Sequence, residues 1–363
     1  MYAAIETSFD ETGIAICDAQ GRLQASLLAS QIERHKPYGG CVPELAARTH
    51  LSDLPQLWAQ LDPDLVSQIT HLGVTAGPGL PGCLLAGINF ARGVARALRV
   101  PLYGLNHLTG HVFSPFIPDQ GGAAPQDAAA ADIPCPHLAL LISGGHTELF
   151  LVHGLTDLQL LGQTRDDAVG ELLDKVSAML GHGYPGGAVL EQLARRHPGL
   201  SDDARYEGDY SLPVPMRGSG DLNFSYSGLK TAVLRIARMG DPVGDKVLPA
   251  EQHPSLLAAL FSVVAESLWI KVADAVAQHG VQLVTVSGGV AINGFIRRRF
   301  QAEADKLGAQ VKFAAARFCL DNADMMAWLL RLTVEAGVEP AQFDADCNWN
   351  PGLQAGELEC ASD

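Results

Sequence analysis

Short apolar runs and polar breaks alternate from the first residue. Tyr2 to Ser8 is largely apolar and ends at the turn Phe9-Asp10-Glu11. Thr12 to Cys17 follows, then the turn Asp18-Ala19-Gln20-Gly21, then Leu23 to Leu28. Runs of this length between turn residues predict three successive strands. The period then lengthens. Pro43 to Leu61 predicts a helix, His71 to Thr75 a short buried strand, and Cys83 to Leu98 a helix after the loop GPGLPG at 77–82.

The opening pattern returns later in the chain. His137 to Ile142 ends at Ser143-Gly144-Gly145-His146, Thr147 to Val152 and Leu158 to Gln163 follow, and a helix begins near Ala168. Two three-strand meanders about 135 residues apart predict an internal duplication. Further on, Pro254 to Gln278 predicts a long amphipathic helix and Gln282 to Val286 a strand. SGGVAINGF precedes a helix running to Leu307, and Asn322 to Ala336 predicts a C-terminal helix. Residues 121–132 and 239–252 read as loops, and the chain after Pro340 as a weakly ordered tail.

Composition narrows the class. A chain of 363 residues suggests two domains, and 47% apolar with 18% charged residues excludes wholesale disorder. The longest stretch without charge, Leu65 to Ala91, carries five Gly and two Pro, so no membrane span is expected there. The acidic start MYAAIETSFDE lacks the basic region of a signal peptide. Seven widely spaced Cys without a CxxC argue against a disulfide framework or a Cys-rich zinc site, so a cytoplasmic setting is expected. The net charge of −15 argues against a protein that grips nucleic acid alone, although seven of the acids lie in the last segment, 335–363.

Three small-residue turns follow strands: GPGLPG (77–82), SGG (143–145) and SGG (287–289). Each can turn backbone N–H groups toward an anion, and together they favour a phosphate grip over three ordinary tight turns. His107 and His111 stand four residues apart, which puts both rings on one helix face within reach of one metal. The bland reading is an accidental pair. The third ligand would be Asp321, in the polar island CLDNADMMA, and two His with one carboxylate suit Fe(II) or Zn. The segment HLTGH lacks the Glu that follows the first His in zinc proteases. Asp174 can accept from ribose hydroxyls, Asn293 can bond a base or ribose, and Gly187 admits a close base. The alternatives are a solvated helix position for Asp174 and a helix cap for Asn293. Glu6, Asp10 and Glu11 gather at the first turn, where they would face a cation or a reacting amine, or simply water.

Taken together, these segments resemble the TsaD family of tRNA N6-adenosine threonylcarbamoyltransferases. The matching pieces are ETSFDETGIAI (6–16), GPGLPGCLLAG (77–87), NHLTGH (106–111), LISGGHTEL (141–149), GELLDKVSAMLG (170–181), YPGG (184–187), FSYSGLKT (224–231), SGGVAIN (287–293) and CLDNADMMA (319–327). The resemblance implies an α/β, two-lobed actin-like ATPase fold (sugar kinase/actin superfamily) with duplicated lobes. The expected division is 1–106 for the first lobe, completed by the helix at 322–338, then 107–321 for the second, then an acidic tail at 339–363.

The resemblance also implies that His107, His111 and Asp321 hold Fe2+, with Zn2+ as the alternative. Leu141, Ile142, Ser143, Gly144, Gly145, Asp174, Gly187 and Asn293 would bind threonylcarbamoyl-AMP. The acyl group would pass to N6 of adenosine 37 in tRNAs reading codons that start with A; the residues themselves, not the resemblance, suggest Glu11 or Asp10 as the group that takes the proton. Implied partners are tRNA, a TsaB-like paralogue and a TsaE-like ATPase, with no membrane. Thr109 departs from the family's usual Glu between the two His, and Phe9 stands where Cys is frequent. The rivals are a kinase or ATPase of the same fold, a catalytically silent paralogue, and, least favoured, a metalloprotease.

Overall fold

The computed structural model describes residues 1–118, 133–200, 206, 208–239 and 247–351. The expected loop at 121–132 and the central part of 239–252 lie outside them. Two compact units emerge. The first comprises Met1–Cys135, His153–Gln159 and Arg317–Asp363, and the second Pro136–Val152 and Leu160–Ala316.

The chain opens with β1 (Tyr2–Glu6), β2 (Glu11–Cys17) and β3 (Leu23–Ser30), then α1 (Ile32–His35), α2 (Pro43–Trp58) and α3 (Pro63–Ser67). Next come β4 (His71–Gly77), α4 (Pro81–Leu98), β5 (Leu102–Asn106) and α5 (His107–Phe113). These strands form one mixed sheet in the order β3-β2-β1-β4-β5. β1 runs antiparallel to β2, with Ile5 opposite Ile14, and parallel to β4, with Ile5 opposite Val74. Every residue of β2 is buried, because α2 and the last helix both pack on it. β3, at the sheet edge, keeps the strict in-and-out alternation of a half-covered strand.

The second sheet uses β6 (His137–Ile142), β7 (Thr147–Gly154) and β8 (Asp157–Gln163). α6 (Val169–Met179), α7 (Gly187–Ala194), α8 (Ser227–Ala237) and α9 (His253–His279) follow. β9 (Leu283–Ser287), α10 (Gly294–Leu307), β10 (Gln310–Phe313) and α11 (Ala323–Glu335) complete the chain. The strand order is β10-β9-β6-β7-β8. Read from the other edge, this is the first sheet again, with β6, β7 and β8 in the places of β1, β2 and β3. The expected duplication is therefore present in topology, and the fold is that of the actin-like ATPases.

Along the chain the units change at 135/136, 152/153, 159/160 and 316/317. α5 belongs to the first unit because Gly110 lets it settle on Met326 of α11, where an added Cβ would stand 2.6 Å from the Met326 sulfur. α9 is not amphipathic. It is buried almost all round, and 83% of its apolar window lies inside the protein, so its length and apolarity are those of a core helix. The segment after Pro340 is not a loose tail as far as residue 351. Phe343, Ala345, Cys347 and Trp349 pack against the first core while the residues between them face out. This alternation is that of a one-sided extended strap.

One packing detail yields a test. Gly87 lies in the interior of α4, where Gly→Ala ordinarily gains up to about 1 kcal/mol. Here a Cβ would stand 2.2 Å from the Thr7 hydroxyl, which is fully buried and donates to the Cys83 carbonyl at 3.0 Å. Gly87→Ala should therefore lose about 1–3 kcal/mol in urea unfolding. A gain in stability would contradict the close approach.

Candidate metal centre

In the first unit the ends of β1, β4 and β5 lie side by side, with Gly77 in register with Asn106. Glu6 ends β1, and Asn106 ends β5 and begins α5. The Asn106 side-chain oxygen accepts from the Thr109 N–H at 2.9 Å, a helix N-cap that starts α5 at His107. Four residues later His111 stands on the same face, its ring centroid 4.7 Å from that of His107. Asp321 comes from the loop before α11, whose start is set by Asn322 capping the Met325 N–H at 2.8 Å.

The three side chains converge. Asp321 Oδ1 lies 3.1 Å from His111 Nε2 and 3.4 Å from His107 Nε2, and the ligand atoms are all within 4.8 Å of one another. Donors bound to one ion at about 2.0–2.2 Å stand roughly 3.0–3.4 Å apart, so the spacing fits a shared cation. Behind His107 sits Glu6, wholly buried. Its Oε2 faces His107 Nδ1 at 3.3 Å and accepts from the Thr75 hydroxyl, while its Oε1 accepts from the Ser8 N–H at 2.6 Å. Ser8 Oγ also reaches His107 Nδ1, at 3.2 Å. A carboxylate against Nδ1 keeps a proton there and turns Nε2 toward Asp321, which is the arrangement a metal-binding imidazole needs.

The electrostatics agree. Without a cation, burial alone would depress His107, but the Glu6 and Asp321 carboxylates overcome it and push its pKa up to about 10. A proton thus stands where a cation would. Burial, and then the charge on His107, lower His111, so it stays in the neutral form that ligates. Asp321 is held well below the ordinary carboxylate range by the two imidazoles, against the opposing pull of burial. His111 Nδ1 is buried and meets no partner among the described residues. The donor set fits a metal of the kind bound by nitrogen and oxygen ligands.

A second trio, Asp10, His35 and Cys41, is equally close but does not fit. The Val42 N–H donates to His35 Nδ1 at 3.3 Å, so the neutral ring carries its proton on Nε2. That proton faces Gln31 Oε1 at 3.3 Å and Cys41 Sγ at 4.0 Å. No lone pair points into the trio. Burial, and then Asp10, push the Cys41 thiol up to about 12.

Asp10 and Glu11, the expected proton acceptors, both belong to the first unit and are largely buried. Burial and then Asp321 raise Asp10 to about 6. Burial, with Asp10 and Asp321 adding to it, raises Glu11 to about 7, although Ser30 donates to it at 2.8 Å.

The other expected residues belong to the second unit. Leu141 and Ile142 are buried at the end of β6. Ser143 closes the turn, donating its N–H to the His146 carbonyl at 2.8 Å and accepting from the His146 N–H at 3.1 Å through its hydroxyl. An added Cβ at Gly144 or Gly145 would meet nothing, so packing within the protein does not demand glycine there. What the two glycines leave is open backbone. Gly288, by contrast, needs its φ of +91° and lies against the Ile142 carbonyl. β6 and β9 are parallel neighbours, so the 143–145 and 287–289 turns lie at one end of the sheet, the end at which α/β sheets bind ligands.

Asp174 is not a solvated helix position. It accepts from the Gly186 N–H at 2.7 Å, beside Gly187, which begins α7. Asn293 does cap α10, accepting from the Ile296 N–H at 3.0 Å, and the next N–H, of Gly294, reaches Glu191 of α7 at 3.0 Å.

The GPGLPG loop belongs to the first unit, and two of its N–H groups are turned inward: Gly79 donates to the Cys347 carbonyl at 3.4 Å and Leu80 to the Ser8 carbonyl at 2.8 Å. Gly79, with φ of +157°, is there because a Cβ would stand 2.5 Å from the Ser8 carbonyl.

Glu6 and Asn106 are the residues that sequence reasoning undervalued. Glu6 was one of three acids at a turn, and Asn106 directly precedes His107 with Thr109 three residues on, a readable cap signal.

Comparison with known proteins places the chain. The family model described as TsaD, tRNA N6-adenosine threonylcarbamoyltransferase, matches residues 22–328. A curated tRNA N6-adenosine threonylcarbamoyltransferase of Nitrosospira multiformis is 38% identical over 361 residues, covering 98% of each chain. That of Aromatoleum aromaticum is 42% identical over 337 residues, covering 92% of this chain and 91% of the relative. Among solved structures, HypF of T. kodakarensis superposes with a TM-score of 0.55 at 13% identity, over 93% of this chain and 48% of its own. A full-length HypF in phosphate- and nucleotide-bound form gives 0.54 at 10%, over 94% and 47%. These two likenesses speak to the fold.

Proposed function

The chain belongs to the TsaD family of tRNA N6-adenosine threonylcarbamoyltransferases and forms N6-threonylcarbamoyladenosine in tRNA, and we propose that His107, His111 and Asp321 are the metal centre of that reaction. The observation that carries the proposal is the convergence of three donors on one point with the buried Glu6 carboxylate behind His107.

We read the resident ion as Fe2+, with Zn2+ the alternative. When bound it supplies Lewis-acid polarisation of an acyl oxygen. The residues do the rest. The open backbone of Gly144 and Gly145, with Leu141, Ile142 and Ser143 before it, holds the adenylate of threonylcarbamoyl-AMP, and Asp174, Gly187 and Asn293 complete its binding. The N–H groups of this turn stabilise the charge that develops on the departing AMP. The adenosine 37 amine is a weak nucleophile, so alignment contributes heavily. Glu11, with Asp10 beside it, accepts its proton, since a carboxyl group that titrates near neutrality is matched to that task. The tRNAs are those reading codons that begin with A.

The net charge of −15 supports a reading in which a TsaB-like paralogue and a TsaE-like ATPase supply further tRNA contacts, in the cytoplasm.

The test supplies the purified protein and its partners with threonylcarbamoyl-AMP and unmodified tRNA, then digests the tRNA for mass spectrometry. Modified adenosine is expected. Glu11→Gln should lower single-turnover transfer by about 100-fold or more while adenylate binding stays within about threefold. Transfer by Glu11→Gln within threefold of the unaltered protein would remove Glu11 from the mechanism.

A further inference from the structure

The strap at 341–351 packs beside β4 and β5 and ends against Asn106, the residue before His107. Phe343 lies flat against Gly104 of β5, where an added Cβ would stand 2.5 Å from the ring. Arg92 fastens this end, donating to the Phe343 carbonyl at 2.8 Å and pairing with Asp344 at 2.9 Å. The Asp346 N–H donates to the Ala76 carbonyl at 2.8 Å, beyond which only glycine at 77 leaves room for the Asp346 carbonyl. Two contacts then lead to His107. Asn106 divides its amide: the oxygen caps α5, and Nδ2 donates to the Trp349 carbonyl at 2.9 Å. Gly79 donates to the Cys347 carbonyl and braces Ser8, whose hydroxyl meets His107 Nδ1.

We propose that this strap positions the metal centre, with the Asn106–Trp349 bond setting where the first turn of α5 places His107 and His111. Asn106 and the Trp349 backbone are positioning groups. They touch no proposed ligand atom, yet the helix carrying two of the three ligands starts from them. The proposal rests on the metal-centre reading given above.

The experiment measures Co2+ affinity of the full chain by competition with a chromogenic chelator, alongside thermal unfolding of the metal-free protein. Asn106→Ser keeps a capping oxygen but cannot reach Trp349. A stop after Cys347 removes the Trp349 carbonyl, and a stop after Pro351 serves as the control. The control should bind Co2+ within twofold of the full chain. Asn106→Ser and the stop after Cys347 should each weaken binding by about 10–100-fold, as losing outer-shell support does. Combined, they should do no worse than the weaker single variant by more than about threefold, because both cut one link. Unchanged affinity in Asn106→Ser, or two losses that multiply, overturns the proposal. Should the shorter chain not fold, Asn106→Ser alone decides. A full chain that binds no Co2+ would instead overturn the metal centre itself, and the strap's role with it.

Discussion

His107→Ala should lose bound metal and transfer activity together. The substitution removes one of three donors and leaves Glu6 buried with no imidazole to face. Metal content, measured by elemental analysis, should fall from about one per chain to near zero, since two remaining ligands make a weak site. Transfer should drop by about 1,000-fold or more, the scale on which electrostatic stabilisation of a developing charge acts. A buried charge stripped of its partner also costs about 3–5 kcal/mol, so folding must be followed beside activity. Asp321→Asn separates the two effects. It sits further from Glu6 and is close in shape, so it should keep the fold and still lose the metal. Full turnover by a metal-free His107→Ala protein would remove the metal from the reaction.

Glu6→Gln is the second large effect. Both oxygens of Glu6 accept hydrogen bonds, one from the Ser8 N–H, the other from Thr75 and, facing His107 Nδ1, from the imidazole. An amide offers one acceptor, so one of these donors must meet an NH2 group. Metal affinity should fall about 10–100-fold, and stability by about 1–3 kcal/mol.

The pH dependence of the metal-free protein gives a sharper check. Glu6 is lowered from 4.5: burial opposes this, but His107 outweighs it, so its contribution is present above that value and lost as pH falls. His107 is raised from 6.5 to about 10, so its contribution is full below 6.5 and lost as pH rises through about 10. The difference in Tm between the unaltered protein and Glu6→Gln, in the presence of a chelator, should therefore be largest at about pH 5–6 and shrink toward pH 10. A difference that does not change over that span would mean that Glu6 and His107 do not form an ion pair.

Much of the fold was legible locally. The strands of both meanders alternate or run apolar between turn residues, and their period alone locates them. The repeated order of those segments revealed the duplication, because a copied meander copies its hydrophobic pattern even when its residues drift. The His107–His111 spacing depends only on one helical turn, so it too was readable. β5 and the strap were not. Five residues around Gly104 give little periodic signal, and the alternation of Phe343, Ala345, Cys347 and Trp349 was hidden in an acidic terminal segment.

The residue pattern by itself determined the secondary elements, their duplication and which side chains could be metal ligands, since these follow from spacing along the chain. Tertiary structure alone decided the rest, because sequence distance carries no information about contacts closed over a hundred residues or more. It brought Asp321 to His111 across 210 positions and placed Glu6 behind His107 across 101. It turned the Gly79 and Leu80 N–H groups of the GPGLPG loop onto the strap and the first turn, and it tied Asn106 to Trp349 across 243. It also separated two equally dense clusters: a carboxylate faces Nδ1 of His107, and a backbone N–H faces Nδ1 of His35. Which ring nitrogen keeps its lone pair is set by that one neighbour.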